Sequence, residues 1–123
     1  MIPKSMTRPT HRELTNKIKK ARTFVENDQV FLINQTALAV DALELEYSIE
    51  NDLLEVLNEL LDQTDPTHYT GSRPPQRSYE DAISGLDLIA FVVKIERFSE
   101  PLYYKFSVSE EALWLVSLHK DRK

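Results

Sequence analysis

The sequence predicts an α+β fold, with a small antiparallel sheet of about four strands packed on one face by N-terminal helices. Three observations predict it. Residues 102–108 (Leu102-Tyr103-Tyr104-Lys105-Phe106-Ser107-Val108) and 112–119 (Ala112-Leu113-Trp114-Leu115-Val116-Ser117-Leu118-His119) are rich in aromatic and β-branched side chains and contain no Pro or Gly. They read as two strands. The short polar link Ser109-Glu110-Glu111 joins them as an antiparallel hairpin, because parallel neighbours need a long crossover. Upstream, Ile49, Leu53, Val56, Leu57, Leu60 and Leu61 recur at helical spacing, with Asp52, Glu55, Glu59 and Asp62 outside the stripe. The elements also follow an order: helix, short strand, two helices, long loop, then three sequential strands. That order segregates helices to one face of a sheet.

Taken along the chain, Met1 to Arg8 reads as a loose tail ahead of a single domain over 9–123. The tail has basic residues but no apolar run after them, unlike a secretory signal. From Pro9 the pattern turns helical. Thr10 is placed to cap, with Glu13 as its capping-box partner. Leu14, Ile18, Ala21 and Val25 form the apolar face, and Lys17, Lys19, Lys20 and Arg22 the other. This helix ends near Asn27-Asp28. Val30-Phe31-Leu32-Ile33 reads as a short edge strand. Thr36 to Leu45 is Ala- and Leu-rich and reads as a helix with Leu38, Val40, Ala42 and Leu45 inward. Ser48 is placed to cap the helix that carries the wide stripe. Gln63 to Gly85 is a long connection holding three prolines and both glycines. A loop of that length in a small domain is usually functional or mobile. Leu88 to Ile95, apolar except for Lys94, reads as a central strand, and Glu96 to Pro101 turns back into the hairpin.

Composition narrows the function classes. No apolar run approaches the roughly 20 residues of a membrane span, so no membrane partner is expected. The absence of Cys excludes disulfides and thiolate metal sites, and the cytoplasm is the default compartment. The net charge of -5 argues against a generic nucleic-acid binder, but the charge is uneven. Residues 1–22 carry seven Lys/Arg and one acid. Residues 23–66 carry eleven Asp/Glu and no Lys or Arg. A polyanion can therefore be met by the two ends of the chain and not by its middle.

Alternation sorts the hairpin. Tyr103, Lys105 and Ser107 point one way, and Leu102, Tyr104, Phe106 and Val108 the other. On the return strand Ala112, Trp114, Val116 and Leu118 form an apolar set. Leu113, Leu115, Ser117 and His119 oppose it. With the apolar sets on one face, the other face carries Tyr103, Lys105, Ser117 and His119. By position alone, His119 is a solvated terminal histidine. Beside Tyr103 and Lys105, it belongs to an acid, base and electrostatic set. Cleaving RNA by attack of the 2′-hydroxyl on phosphorus needs such a set, and metals are optional. His68, Tyr69, Arg73 and Arg77 share the long loop. They are either ordinary loop residues or a substrate grip, with Arg on phosphate and Tyr or His stacked on an unpaired base. His11, His68 and His119 are too scattered, and the acids too irregularly spaced, to suggest a metal site.

Three stretches carry a family resemblance. These are Ile18-Lys19-Lys20 through Phe24 to Val30; Leu57 to Leu61 followed by Thr64-Asp65 and His68-Tyr69-Thr70-Gly71; and Leu102 to Phe106 with Val116-Ser117-Leu118-His119. The chain resembles a small bacterial toxin of the MqsR type, within the RelE-like group of messenger-RNA-cleaving toxins. The resemblance covers most of residues 12–121 in order. It implies a RelE-like fold and a metal-independent endoribonuclease without cofactors. It also implies messenger RNA as substrate, a cognate antitoxin as restraining partner, and a site centred on Tyr103 and His119. The family's loop Lys has no clear counterpart, with His68 or Tyr69 falling nearest. Asp87 stands where the family places a polar residue, and Leu118 replaces its usual Phe. A non-catalytic binding or regulatory module on the same fold is the alternative, and a homodimer is left open.

Overall fold

The computed structural model describes residues 10–72 and 75–122; the N-terminal tail read from the sequence and Arg73 lie outside them. Helix α1 runs over His11–Glu26, strand β1 over Val30–Leu32, helix α2 over Gln35–Leu45 and helix α3 over Ile49–Gln63. Strands β2 (Ile89–Val93), β3 (Leu102–Val108) and β4 (Leu113–Lys120) follow the long connection. Among the described residues no helix is long and apolar enough to cross a membrane.

The helices start where the caps predict. The Thr10 hydroxyl accepts from Glu13 N at 3.1 Å, and the Ser48 hydroxyl from Asn51 N at 3.2 Å. Each satisfies an amide with no partner inside its helix. The predicted inward faces of α1 and α3 are buried, except that Ile49 at the start of α3 is half-buried. In α2 the inward set is Leu38, Asp41, Ala42 and Leu45. Val40 is outside, contrary to the expectation, and Asp41 takes a core-side place because Arg122 bonds its carboxylate at 3.3 Å.

The sheet is four-stranded in the order β1-β4-β3-β2. Both β2–β3 and β3–β4 are antiparallel, but β1 lies parallel to β4, so the sheet is mixed and not wholly antiparallel. The sequence separation between β1 and β4 permits this, since a parallel pair needs only a long crossover. Strand β2 is an edge strand and not the central one. Its apolar character has another cause. Residues 69–70 lie along its free side, where Thr70 N donates to Ala90 O at 2.9 Å and Tyr69 bridges Phe91. The edge is thus covered, and Ile89, Ala90, Phe91 and Val93 are all buried.

One irregularity decides which residues face the helices. Lys105 pairs with Ser117, but Phe106 pairs with Leu115, so Val116 is the extra residue of a bulge. It shifts the alternation of β4 by one. Leu113, Leu115 and Leu118 therefore all share the face of Tyr104, Phe106 and Val108. Trp114 turns to the opposite face, against the expectation that it would join Leu118. All three helices and this sheet face build one core. At its centre Tyr104, Phe91 and Phe106 stack with centroids 5.6–6.1 Å apart. The buried Tyr104 hydroxyl pairs with Thr64 Oγ1 at 2.7 Å, and Thr64 donates to Leu60 O. At the periphery Arg97 bridges Glu55 and Glu59, clamping the β2–β3 turn to α3.

Candidate active site on the open sheet face

The face turned away from the helices carries the polar set. Register places Tyr103 directly across from His119, and Lys105 across from Ser117. The rings of Tyr103 and His119 stack, with centroids 5.0 Å apart and planes 14° from parallel. His119 Nδ1 lies 2.7 Å from Lys120 O. A carbonyl only accepts, so Nδ1 carries the hydrogen, and in the neutral ring Nε2 keeps a free lone pair. Burial pushes the Tyr103 phenol above its ordinary value, so it holds its proton at neutral pH. The pair thus offers one acceptor and one donor side by side.

Lys105 stands two positions along β3, about 7 Å away by strand rise. It opens into a groove of about 710 Å³ whose walls include Asn34, Arg77, Tyr79 and the bulged Val116. The far wall is the loop 76–88, which folds onto this face. Leu88 N donates to Gln76 O at 2.7 Å, Ser78 N to Leu86 O at 3.0 Å and Gly85 N to Ser78 O at 2.9 Å. Gly85 makes the turn with φ +80, a region L-residues avoid. The buried Ser107 hydroxyl donates to Asp87 O at 2.7 Å and pins the loop to β3. Asp87 also sits 3.9 Å from the Arg77 guanidinium, holding that exposed cation over the groove. Asn34 enters α2 in the left-handed region (φ 53), and its side chain makes no capping bond.

Of the residues singled out from sequence, Tyr103, Lys105, His119 and Arg77 share this face. His68 and Tyr69 do not join them. Tyr69 is buried on the core side, edge-on to Phe91 at 6.1 Å, because its bridge to β2 aligns the two side chains. His68 closes a 3-10 turn over Pro66–His68: its Nδ1 accepts from Asp65 N at 3.0 Å. Arg73 lies outside the described residues. Four contributors were missed. Asn34 and Tyr79 line the groove, and Phe31 and Trp114 stack at 4.7 Å on the same face. An aromatic within a Pro- and Gly-rich loop was the one signal for Tyr79. Nothing local marked Trp114, since its facing depends on the bulge.

Two other hollows suit a phosphate less well. One, of about 450 Å³, sets Glu44, Glu46, Asp52 and Glu100 around Arg97 and Lys120. Another, of about 510 Å³, holds Glu59, Asp62 and Glu96 with Lys94. Carboxylates outnumber cations in both, which repels an anion. Among the described residues no three His, Asp or Glu side chains are grouped as metal ligands. No protein-family profile matches the chain, and no curated protein is significantly similar to it.

Proposed function

We propose that the protein is an endoribonuclease of the toxin type, acting on messenger RNA and restrained by a cognate antitoxin. The observation that carries this reading is the stacked Tyr103–His119 pair beside the cationic groove of Lys105 and Arg77. In the proposed reaction His119 Nε2 takes the 2′-hydroxyl proton as that oxygen attacks phosphorus. The bond from phosphorus to the 5′-oxygen breaks, and the Tyr103 phenol protonates the leaving oxygen. The products are a 2′,3′-cyclic phosphate and a 5′-hydroxyl, and solvent returns the proton from His119 to Tyr103. Lys105 and Arg77 offset the charge that grows on the phosphorane. The face of the Tyr103 ring stabilises the imidazolium formed part-way.

The test exposes synthetic single-stranded RNA to the purified protein. Cleavage should end in cyclic phosphate and should stop when the 2′-hydroxyl is replaced by hydrogen. His119→Ala should slow it by about 10²-fold or more. Unchanged cleavage by that variant removes His119 from the mechanism. The second reading is a non-catalytic binding module, favoured by the absence of His68 and Tyr69 from the face and by Glu80 in the groove wall. It predicts that RNA is bound through Lys105 and Arg77 and is recovered intact.

A further inference from the structure

Helix α2 is apolar on two sides. Leu38, Ala42 and Leu45 enter the core. Ala39, Val40 and Leu43 make a second stripe at the three- and four-residue spacing of one helix face, and this one is turned outward. Val40 is 58% exposed and Leu43 79%. A helix apolar all round is ordinarily enclosed. Against the start of α3, Ala39 and Leu43 of the outer stripe wall a groove of about 350 Å³, completed by Ala42, Tyr47 and Ile49, with Glu50 at its rim, and Val40 extends the apolar surface beside it. Tyr47 is buried, and its hydroxyl has no hydrogen-bond partner among the described residues.

We propose that this groove docks a basic amphipathic helix of a partner protein. Charge selects that occupant. Residues 23–66 contain no Lys or Arg, Glu50 lines the groove, and Glu44 and Glu46 are exposed on the adjoining turn, while the Arg122 that reaches α2 is paired with Asp41. A second copy of the chain fits poorly. A two-fold contact sets these three carboxylates against themselves. The basic surface that a copy could offer instead is α1, whose exposed residues are all polar and supply no apolar anchor. The complementary ligand presents large apolar side chains at i, i+3 or i+4, and i+7, flanked by Lys or Arg. This surface is independent of the sheet-face reading.

The experiment titrates full-length protein against a labelled model helix carrying Leu on one face and Lys elsewhere. Binding should weaken with added salt. The double variant Val40→Ser/Leu43→Ser should lose about tenfold or more in affinity. Glu44→Gln/Glu50→Gln should weaken binding and flatten its salt dependence. Far-UV circular dichroism should show both variants folded, since all four positions are exposed. Equal affinity for a Leu/Glu helix, an unaltered affinity in the double variant, or no binding by the unsubstituted protein overturns the proposal. A dimer in sedimentation that Val40→Ser/Leu43→Ser dissociates overturns it in favour of a second copy.

Discussion

Tyr103 and Tyr104 are neighbours in sequence with opposite environments, and that contrast separates chemistry from stability at single residues. Tyr103 lies on the open face, stacked on His119. Tyr104 is enclosed, its hydroxyl held by Thr64 at 2.7 Å. Tyr103→Phe keeps the stack and removes the proton donor. RNA cleavage should fall by about 10²-fold with little change in melting temperature. Tyr104→Phe removes a buried hydrogen bond while Thr64 still donates to Leu60 O. It should cost about 1 kcal/mol in denaturant titration and leave cleavage unchanged. A result with the two effects exchanged would place the working face on the wrong side of the sheet. Strand alternation alone made this division legible, because it needs only the two-residue period of one strand. The loop residues were not legible in the same way. Tyr69 and Arg77 sit in one irregular segment, and only their bridges to Phe91 and Asp87 send one to the core and the other to the groove.

Among the elements, α1 and α3 could be read almost to the residue, since a cap and an apolar stripe are local signals. Thr10 and Ser48 begin them as expected. Pairing partners are not local. The parallel match of β1 to β4, and the edge position of β2, depend on contacts across most of the chain. The bulge at Val116 is the sharpest case, because a strict period of two on β4 puts Trp114 and Leu118 together when they oppose each other. The bulge keeps both halves of the strand productive: Leu113 and Leu115 reach the core, and Ser117 and His119 still reach the open face. Inserting one Ala between Lys105 and Phe106 gives Val116 a partner, restores the plain period and forces one half of the strand to turn over. Exposing Leu113 and Leu115 alone costs roughly 1.5–3 kcal/mol each. The insertion should therefore lower the urea midpoint by an amount equivalent to several kcal/mol and abolish cleavage, whereas deleting Val116 leaves Leu113, Leu115 and Leu118 opposite Trp114, Ser117 and His119 and should be tolerated. An insertion variant that retains both stability and cleavage would show that the bulge has no such part.

Over the whole molecule, the uneven charge is plain in the order of the residues, and it separates two surfaces. Lys105 and Arg77 line the groove of the open face, while the outer face of α2 belongs to the stretch 23–66, which carries no Lys or Arg. The exposed apolar stripe on α2 was not legible, because Val40 fits an inward helical pattern until Asp41 takes its place. The alkaline response of stability rests on buried phenols. Burial and the nearby Asp41 carboxylate push Tyr47 up to about 12, and burial raises Tyr104 as well. In the unfolded chain a phenol loses its proton near pH 10. Between about pH 10 and 12 the unfolded state thus holds fewer protons than the folded one, and stability falls as pH rises. Below about pH 10 both states are protonated and this contribution is complete. Tyr47→Phe removes one such phenol together with a buried hydroxyl that has no partner among the described residues. It should raise stability at neutral pH by about 1 kcal/mol and make the alkaline decline of melting temperature shallower. A Tyr47→Phe protein that is less stable at neutral pH, with an unchanged alkaline decline, would mean that this hydroxyl is bonded in solution.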